Sequence, residues 1–208
     1  MTLMDASAPG AFWNGPLARL DQELFHLLNG KWHNSFLDSF LPYMRESIIW
    51  IPLYLFLFVL AWSNFGKKGL GWIVFAILTA ALTDIVSSGI IKELIPRFRP
   101  CNDPQLAHSV RFLVLNCPKN SSFTSSHAAS HFGAAMFIFQ TYRYIWNKAW
   151  IAFLWAGMIA YAQVYVGVHF PLDILCGALV GCGIGWGTSL IFNRQIGLRT
   201  FDKLSTQS

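Results

Sequence analysis

Two histidines, an aspartate and several basic residues stand at spacings that suit the handling of a phosphate group. Lys92 and Arg99 lie in the stretch Lys92-ELIPRF-Arg99-Pro100, which leaves a long apolar segment. Arg99 offers a planar fork for two phosphate oxygens and Lys92 a point charge. Pro96 and Pro100 stop helix propagation there and stiffen the exit. Thr124-Ser125-Ser126-His127 stands directly ahead of another apolar segment. Ser125 or Ser126 can cap that helix, leaving its first backbone N–H groups to bind an anion that His127 can also reach. In Gln163-VYVGV-His169-FPL-Asp173, Pro171 suits the opening turn of a helix. Asp173, four residues after His169, can hold one imidazole nitrogen and leave the other free, as a nucleophilic or basic histidine requires. Each piece alone also fits a structural role; the three together place two histidines, a carboxylate, two cations and a helix end at one face.

The elements that must position these groups are membrane helices. Apolar types make up 54% of the 208 residues and charged types 12%, with a mean hydropathy of +0.44. Soluble domains carry roughly 25% charged residues, so lipid is the expected solvent for much of the chain. Intrinsic disorder, a secreted disulfide scaffold and a cytosolic enzyme are poor fits. Five segments have the apolarity of spans: Ser47–Trp62, Leu70–Ile91, Ser126–Ile145, Trp150–Val166 and Pro171–Phe192. The expected fold class is all-α, a polytopic helical bundle in one domain over 1–208. It divides into an N-terminal interfacial segment (1–46), a core (47–192) and a cytoplasmic tail (193–208). Near the N-terminus, Leu17, Leu20, Leu24, Leu27 and Leu28 share one side of a helix, opposite Arg19, Asp21, Gln22, Glu23 and His26. That pattern predicts an amphipathic helix lying at the interface or packed on the bundle. No removable signal peptide is expected.

Charge sets the orientation. If all five segments cross, Lys67, Lys68, Arg143, Lys148, Arg194, Arg199 and Lys203 share one side with a single acid, Asp202. That side is expected to be cytoplasmic, with the chain in the cell (inner) membrane and the active site on the non-cytoplasmic side. Lys92, Arg97, Arg99, Arg111 and Lys119 then fall on the opposite side against the usual bias, which suggests that they serve an anionic ligand. No basic tract with interleaved aromatics points to nucleic acid. Cys101 and Cys117 share a polar loop and can be bridged if it faces an oxidising compartment; Cys176 and Cys182 are expected to pack.

In the order and spacing of these motifs the chain resembles the type 2 phosphatidic acid phosphatase superfamily, whose motifs are K-x6-R-P, P-S-G-H and S-R-x5-H-x3-D. The first is intact as Lys92, Arg99 and Pro100. The second keeps Ser125 and His127, with Thr124 and Ser126 replacing Pro and Gly. The third keeps His169 and Asp173, with Ala162 and Gln163 replacing Ser and Arg. The resemblance covers about residues 17–192. It implies an integral-membrane phosphatase for a lipid phosphate or pyrophosphate, needing no metal or other cofactor. By the same resemblance His169 would attack phosphorus, Asp173 would orient it and His127 would protonate the leaving group. Lys92, Arg99, Ser125, Ser126 and Gln163 would bind phosphate, and Arg97 is expected to make up part of the charge that Gln163 lacks.

Two other readings compete. A catalytically silent lipid-phosphate binder or carrier is favoured by Gln163 and opposed by the intact His127, His169 and Asp173. A metal enzyme built on His127 and His131 lacks an evident third ligand. His108 is expected to be a solvated loop residue and Asp84 to find a buried partner on another helix. Tyr165 and Gly167 are expected to shape the turn before His169.

Overall fold

The computed structural model describes Trp13 and residues 15–198. Those residues form helices and loops, with no strand among them. Two short helices, α1 (Pro16–Phe25) and α2 (Ser35–Met44), precede α3 (Ile51–Phe65). Helix α4 runs over Lys67–Leu94, its turns Ile85–Ile91 widened to π geometry. Then come a long loop, α5 (Ser126–Tyr142), α6 (Ile151–Tyr165) and α7 (Pro171–Gln195). The five apolar segments are these last five helices, shifted by a few residues. The second reaches Leu94 rather than Ile91, and the third stops at Tyr142 rather than Ile145.

Ser47–Phe65, Lys67–Leu94 and Pro171–Gln195 are each long and apolar enough to cross a membrane, and Ile151–Tyr165 is a shorter apolar helix. Helix α5, 17 residues long, spans ~26 Å at 1.5 Å per residue. Leu55, Phe56, Val59, Leu154 and Leu179 are exposed on the outside of the bundle. An outer surface this apolar is stable against lipid and not against water, and the chain is a membrane protein.

At one end, Phe65, Trp72, Tyr142, Ala149, Phe192 and Ile196 pack together, beside the turns that carry Lys67, Lys68, Arg143 and Lys148. At the other end Phe25, Val164 and Phe170 form one small core and Leu41, Ala162 and Tyr165 another. Helices α1 and α2 belong to this second end. Leu17, Leu20 and Leu24 of α1 face outward, whereas Ala18, Asp21 and Phe25 are buried. These three leucines are thus free to meet lipid, whereas Leu28 at the end of the same stripe packs against Phe25, Val164 and Phe170. The helix docks on the bundle through Ala18, Asp21 and Phe25. Helix α2 is started by Asn34, whose side chain accepts from the Leu37 N–H at 2.9 Å, and contains Pro42.

Helices α5 and α7 make the tightest contact. A Cβ built on Gly181 would lie 2.1 Å from the Ala129 carbonyl oxygen, and one on Gly185 2.3 Å from that of Gly133. Three glycines at four-residue spacing, Gly177, Gly181 and Gly185, therefore let the two backbones meet, as small residues do between membrane helices. This contact sets the start of α5 against the start of α7, where the candidate residues stand.

One expectation changes. Among the described residues Asp84 has no partner on another helix; it accepts from Ser88 of its own helix at 2.8 Å and is exposed. The tail beyond Leu198, with Arg199, Asp202 and Lys203, lies outside the described residues, as do residues 1–12 of the N-terminal segment.

Replacing Gly181 by Val should force the α5 and α7 backbones apart. Overpacking of this kind costs about 1–3 kcal/mol, so thermal unfolding in detergent should occur at a lower temperature than in the parent. An unchanged midpoint would contradict this account of the helix contact.

Candidate active site

His169 lies in the turn between α6 and α7, and the chain reverses there through Gly167 (φ +85°). A side chain at 167 would also strike Val110 and the Arg111 carbonyl of the long loop. The Gln163 carbonyl, at the end of α6, accepts from the N–H groups of Val168 and His169 at 3.2 and 3.3 Å. The turn is thereby fixed, and His169 is 2% exposed.

Both ring nitrogens of His169 are engaged. Arg99 NH1 lies 3.1 Å from Nε2. A guanidinium only donates, so Nε2 carries a lone pair and the proton is assigned to Nδ1. Nδ1 faces Ser122 Oγ at 3.3 Å and Asp173 Oδ2 at 3.5 Å. The Ser122 hydroxyl donates in turn to Asp173 Oδ2, so the serine lies between ring and carboxylate. Burial pushes the imidazole down to about 4, against the opposing pull of Asp173. His169 is therefore neutral at neutral pH, with an unprotonated Nε2 whose lone pair faces Arg99.

Asp173 is fully buried. Its Oδ2 also accepts from the Phe170 N–H at 2.9 Å, closing the first turn of α7. Its Oδ1 meets Arg97 NH1 at 2.7 Å. Arg97 NH2 reaches Asp21 on α1 at 2.6 Å, and Asp21 Oδ1 accepts from the Leu172 N–H at 2.7 Å. The Arg97 guanidinium is stacked between Trp13 and Phe170, 4.1 and 4.0 Å from their ring centres. Burial raises Asp21 above the usual carboxylate range, with Arg97 opposing the rise. Arg97 thus balances two buried carboxylates. It is not placed as a phosphate ligand, because its donors are spent on Asp21 and Asp173.

Arg99 is held differently. Its Nε and NH2 donate to the carbonyl and side-chain oxygens of Asn120 at 3.1 and 2.8 Å, and NH1 also reaches the Val168 carbonyl at 3.1 Å. The loop thus aims NH1 at the nucleophilic nitrogen. Burial lowers Arg99 to about 10, which leaves it a cation at neutral pH. Lys92, 9% exposed, makes no side-chain hydrogen bond or ion pair among the described residues, and its charge bears on Arg99 and Asp173. Arg111, expected with the ligand-binding cations, is instead tied to Asp38 at 2.7 Å and to the Asn29 carbonyl at 3.1 Å. Cys101 and Cys117 are disulfide-bonded.

The start of α5 completes the site. Ser125 Oγ accepts from the Ala128 N–H at 3.3 Å, and the Ser125 N–H donates to the Asp173 carbonyl at 3.1 Å. Its own N–H is therefore spent, contrary to the expectation that it binds phosphate. The N–H groups of Ser126 and His127 are the ones left to an anion. Ser126 Oγ is bound to Ser87 and Ser88 at 3.2 and 2.7 Å. Among the described residues the His127 ring makes no hydrogen bond, and it stands close enough to His169 and Lys92 for their charges to interact. Gln163, 1% exposed, has no partner among the described residues for either side-chain amide atom. His131 is occupied by the His127 carbonyl at 2.7 Å and by Tyr54 at 3.3 Å, which leaves it no role as a metal ligand. Sequence reasoning missed Ser122, Asn120 and Asp21, since no motif spacing links them to the residues they hold.

Residues 69–196 match the family model described as the PAP2 superfamily. The chain is 31% identical over 173 residues to a protein of Bacteroides thetaiotaomicron named lipid A 4'-phosphatase, covering 82% of this chain and 76% of that one. It is 26% identical over 170 residues to an undecaprenyl-diphosphatase of Sulfolobus acidocaldarius, covering 79% and 74%. The crystal structure of Aquifex aeolicus LpxE superposes with a TM-score of 0.63 at 29% identity, covering 81% of this chain and 94% of that one.

Nitrogen-15 NMR of histidine-labelled protein in detergent should show His169 neutral from pH 7 down to near its depressed value of about 4. As pH falls from about 6.5 to about 4, an unfolded chain takes up the proton that the folded ring refuses. The buried ring therefore costs stability progressively across that window. Protonation of His169 near pH 6.5 would contradict the assigned environment.

Proposed function

We propose that this chain, which belongs to the PAP2 superfamily, hydrolyses a lipid phosphate or pyrophosphate through a phosphohistidine on His169. The observation that carries this reading is the unprotonated Nε2 of a buried, neutral imidazole with the Arg99 guanidinium 3.1 Å away. A nucleophile and an oxyanion-binding group then meet the same phosphoryl group.

In the first step the Nε2 lone pair attacks phosphorus and the bond to the leaving oxygen breaks. The negative charge of the bound phosphoryl group favours a protonated His127, which gives that oxygen a proton, so the lipid departs as an alcohol, or as a phosphate when the substrate is a diphosphate. Attack leaves a positive charge on the imidazole, and Asp173 with Ser122 on the Nδ1 side stabilises it. In the second step His127, now neutral, takes a proton from water as the water oxygen attacks phosphorus, and inorganic phosphate leaves His169. Lys92, Arg99 and the N–H groups of Ser126 and His127 balance the charge on the equatorial oxygens. Electrostatic groups of this kind are worth roughly 3–4 kcal/mol for a single donor. Gln163 gives the phosphate a neutral amide where a charged fork would bind about twice as strongly. Arg97 acts on the nucleophile at one remove, by holding Asp173.

The identity to the Bacteroides chain favours a phosphate monoester on a lipid A-like glycolipid; the Sulfolobus relative supports the diphosphate of a polyprenyl carrier as the second candidate. We place the reaction on the non-cytoplasmic side with all five apolar helices crossing. Lys67, Lys68, Arg143 and Lys148 sit at the opposite end of the bundle, and the Cys101–Cys117 bridge in the site-side loop suits an oxidising compartment. A silent lipid-phosphate binder is the second reading, supported by the uncharged Gln163 alone.

Purified protein should release phosphate from one member of a panel of lipid A phosphates, polyprenyl diphosphates, phosphatidic acid and phosphatidylglycerophosphate. His169→Ala should abolish release. His127→Ala should lose most activity on alkyl phosphates and much less on a nitrophenyl phosphate, whose leaving group needs no proton. Vanadate should inhibit by imitating five-coordinate phosphorus. Tight binding of a lipid phosphate without turnover would select the silent binder.

A further inference from the structure

Arg45 caps the C-terminal end of α2, and its Nε is buried without a hydrogen-bond partner. Its one ion pair among the described residues is a 3.6 Å contact with the neighbouring Glu46, whose side chain is 56% exposed. A buried donor left unpaired costs free energy, and an exposed neighbouring carboxylate does not offset a guanidinium's desolvation.

Contacts on both sides fix the segment that carries this side chain. One turn earlier, Leu41 packs on Ala162 and Tyr165 of α6. Just after it, the Trp50 indole donates to the Met44 carbonyl at 2.8 Å and meets Trp155 edge-on, with ring centres 5.6 Å apart. Trp155 in turn meets His131 at 5.0 Å, and His131 is hydrogen-bonded to the His127 carbonyl one turn above. The segment from Leu41 to Trp50 is thus pinned along α6 toward the helix that carries His127. The charge of Arg45 bears on both His127 and Arg99.

Two cations without a strong partner therefore act on the His127 ring: Arg45, whose buried Nε is unpaired among the described residues, and Lys92. A ligand with several acceptor oxygens between them would satisfy both.

We infer that Arg45 is a further phosphate-binding residue, its guanidinium taking a phosphoryl oxygen on the His127 side of the site. The inference rests on the reading of His169, Arg99 and Lys92 as a phosphatase site. It gives that site a third cation, supplied by a short helix outside the apolar bundle, and so makes up the charge that Gln163 does not provide. It also implies that the ligand prefers the dianion of a phosphate to a singly charged diester.

The test compares wild type with Arg45→Gln, Arg45→Ala and Arg45→Lys. It reads vanadate affinity by calorimetry, kcat/KM on the best lipid phosphate, and thermal stability in detergent. Arg45→Gln should weaken vanadate binding and lower kcat/KM by roughly 10²-fold or more, the loss typical of one oxyanion donor. Its unfolding midpoint should not fall. Arg45→Lys should retain part of both, and guanidinium ion added to Arg45→Ala should restore part of the turnover.

Unchanged vanadate affinity in Arg45→Gln overturns the inference, whether or not turnover falls. If Arg45→Gln and Arg45→Ala fail to fold, Arg45→Lys decides: wild-type vanadate affinity and wild-type kcat/KM together would remove the need for a forked donor. Failure of the phosphatase reading is a separate outcome, recognised by a wild type that binds vanadate and turns over no lipid phosphate. The vanadate comparison still judges Arg45 in that case.

Discussion

A single buried carboxylate holds the site together. Asp173 receives Arg97, the Ser122 hydroxyl, the Phe170 N–H and, more loosely, the Nδ1 side of His169. Its main-chain carbonyl takes the Ser125 N–H. Through these contacts one side chain orders the start of α7, the exit from α4, the loop ahead of α5 and the candidate nucleophile. A carboxylate stripped of water is tolerated only when paired and hydrogen-bonded, and Asp173 is both.

The pairing extends beyond the catalytic residues. Arg97 carries one charge against two buried carboxylates, Asp21 and Asp173, and is sheathed by Trp13 and Phe170. A buried network of this kind adds little net stability when intact, but loss of one partner typically costs about 3–5 kcal/mol. Its effect here is specificity. Helix α1 can dock only where Asp21 meets Arg97 and the Leu172 N–H, and that position leaves Leu17, Leu20 and Leu24 facing outward. The interfacial helix and the nucleophile are thus fixed by the same charges.

Local spacing made much of this legible in the sequence. His169 and Asp173 are four residues apart across a helix start, and Lys92 and Arg99 flank a proline-marked exit, so their neighbourhood followed from short-range geometry. The apolar runs gave all five long helices to within a few residues. Arg97 was misread because its partner Asp21 lies 76 residues away, and an arginine beside Arg99 looks the same whether it meets phosphate or carboxylate. The Ser125 N–H was misjudged for a like reason, since its acceptor belongs to α7. Helix α2 was not read from the sequence although Phe36, Leu37, Phe40 and Leu41 recur at helical spacing, because it is short and contains Pro42, and Arg45 at its end was not singled out. The leucine stripe of α1 was readable, but periodicity does not say what the opposite face will touch.

The account stands on His169 as the atom that bonds to phosphorus. The most direct measurement is to mix enzyme with a lipid substrate labelled in its terminal phosphate, quench in alkaline detergent within a turnover, and map the label by peptide. The label should sit on the peptide that contains His169, survive alkali, be lost in acid and be missing from His169→Ala. Turnover by wild type with no trapped phosphoryl group on that peptide, or with the group on another residue, would contradict the account.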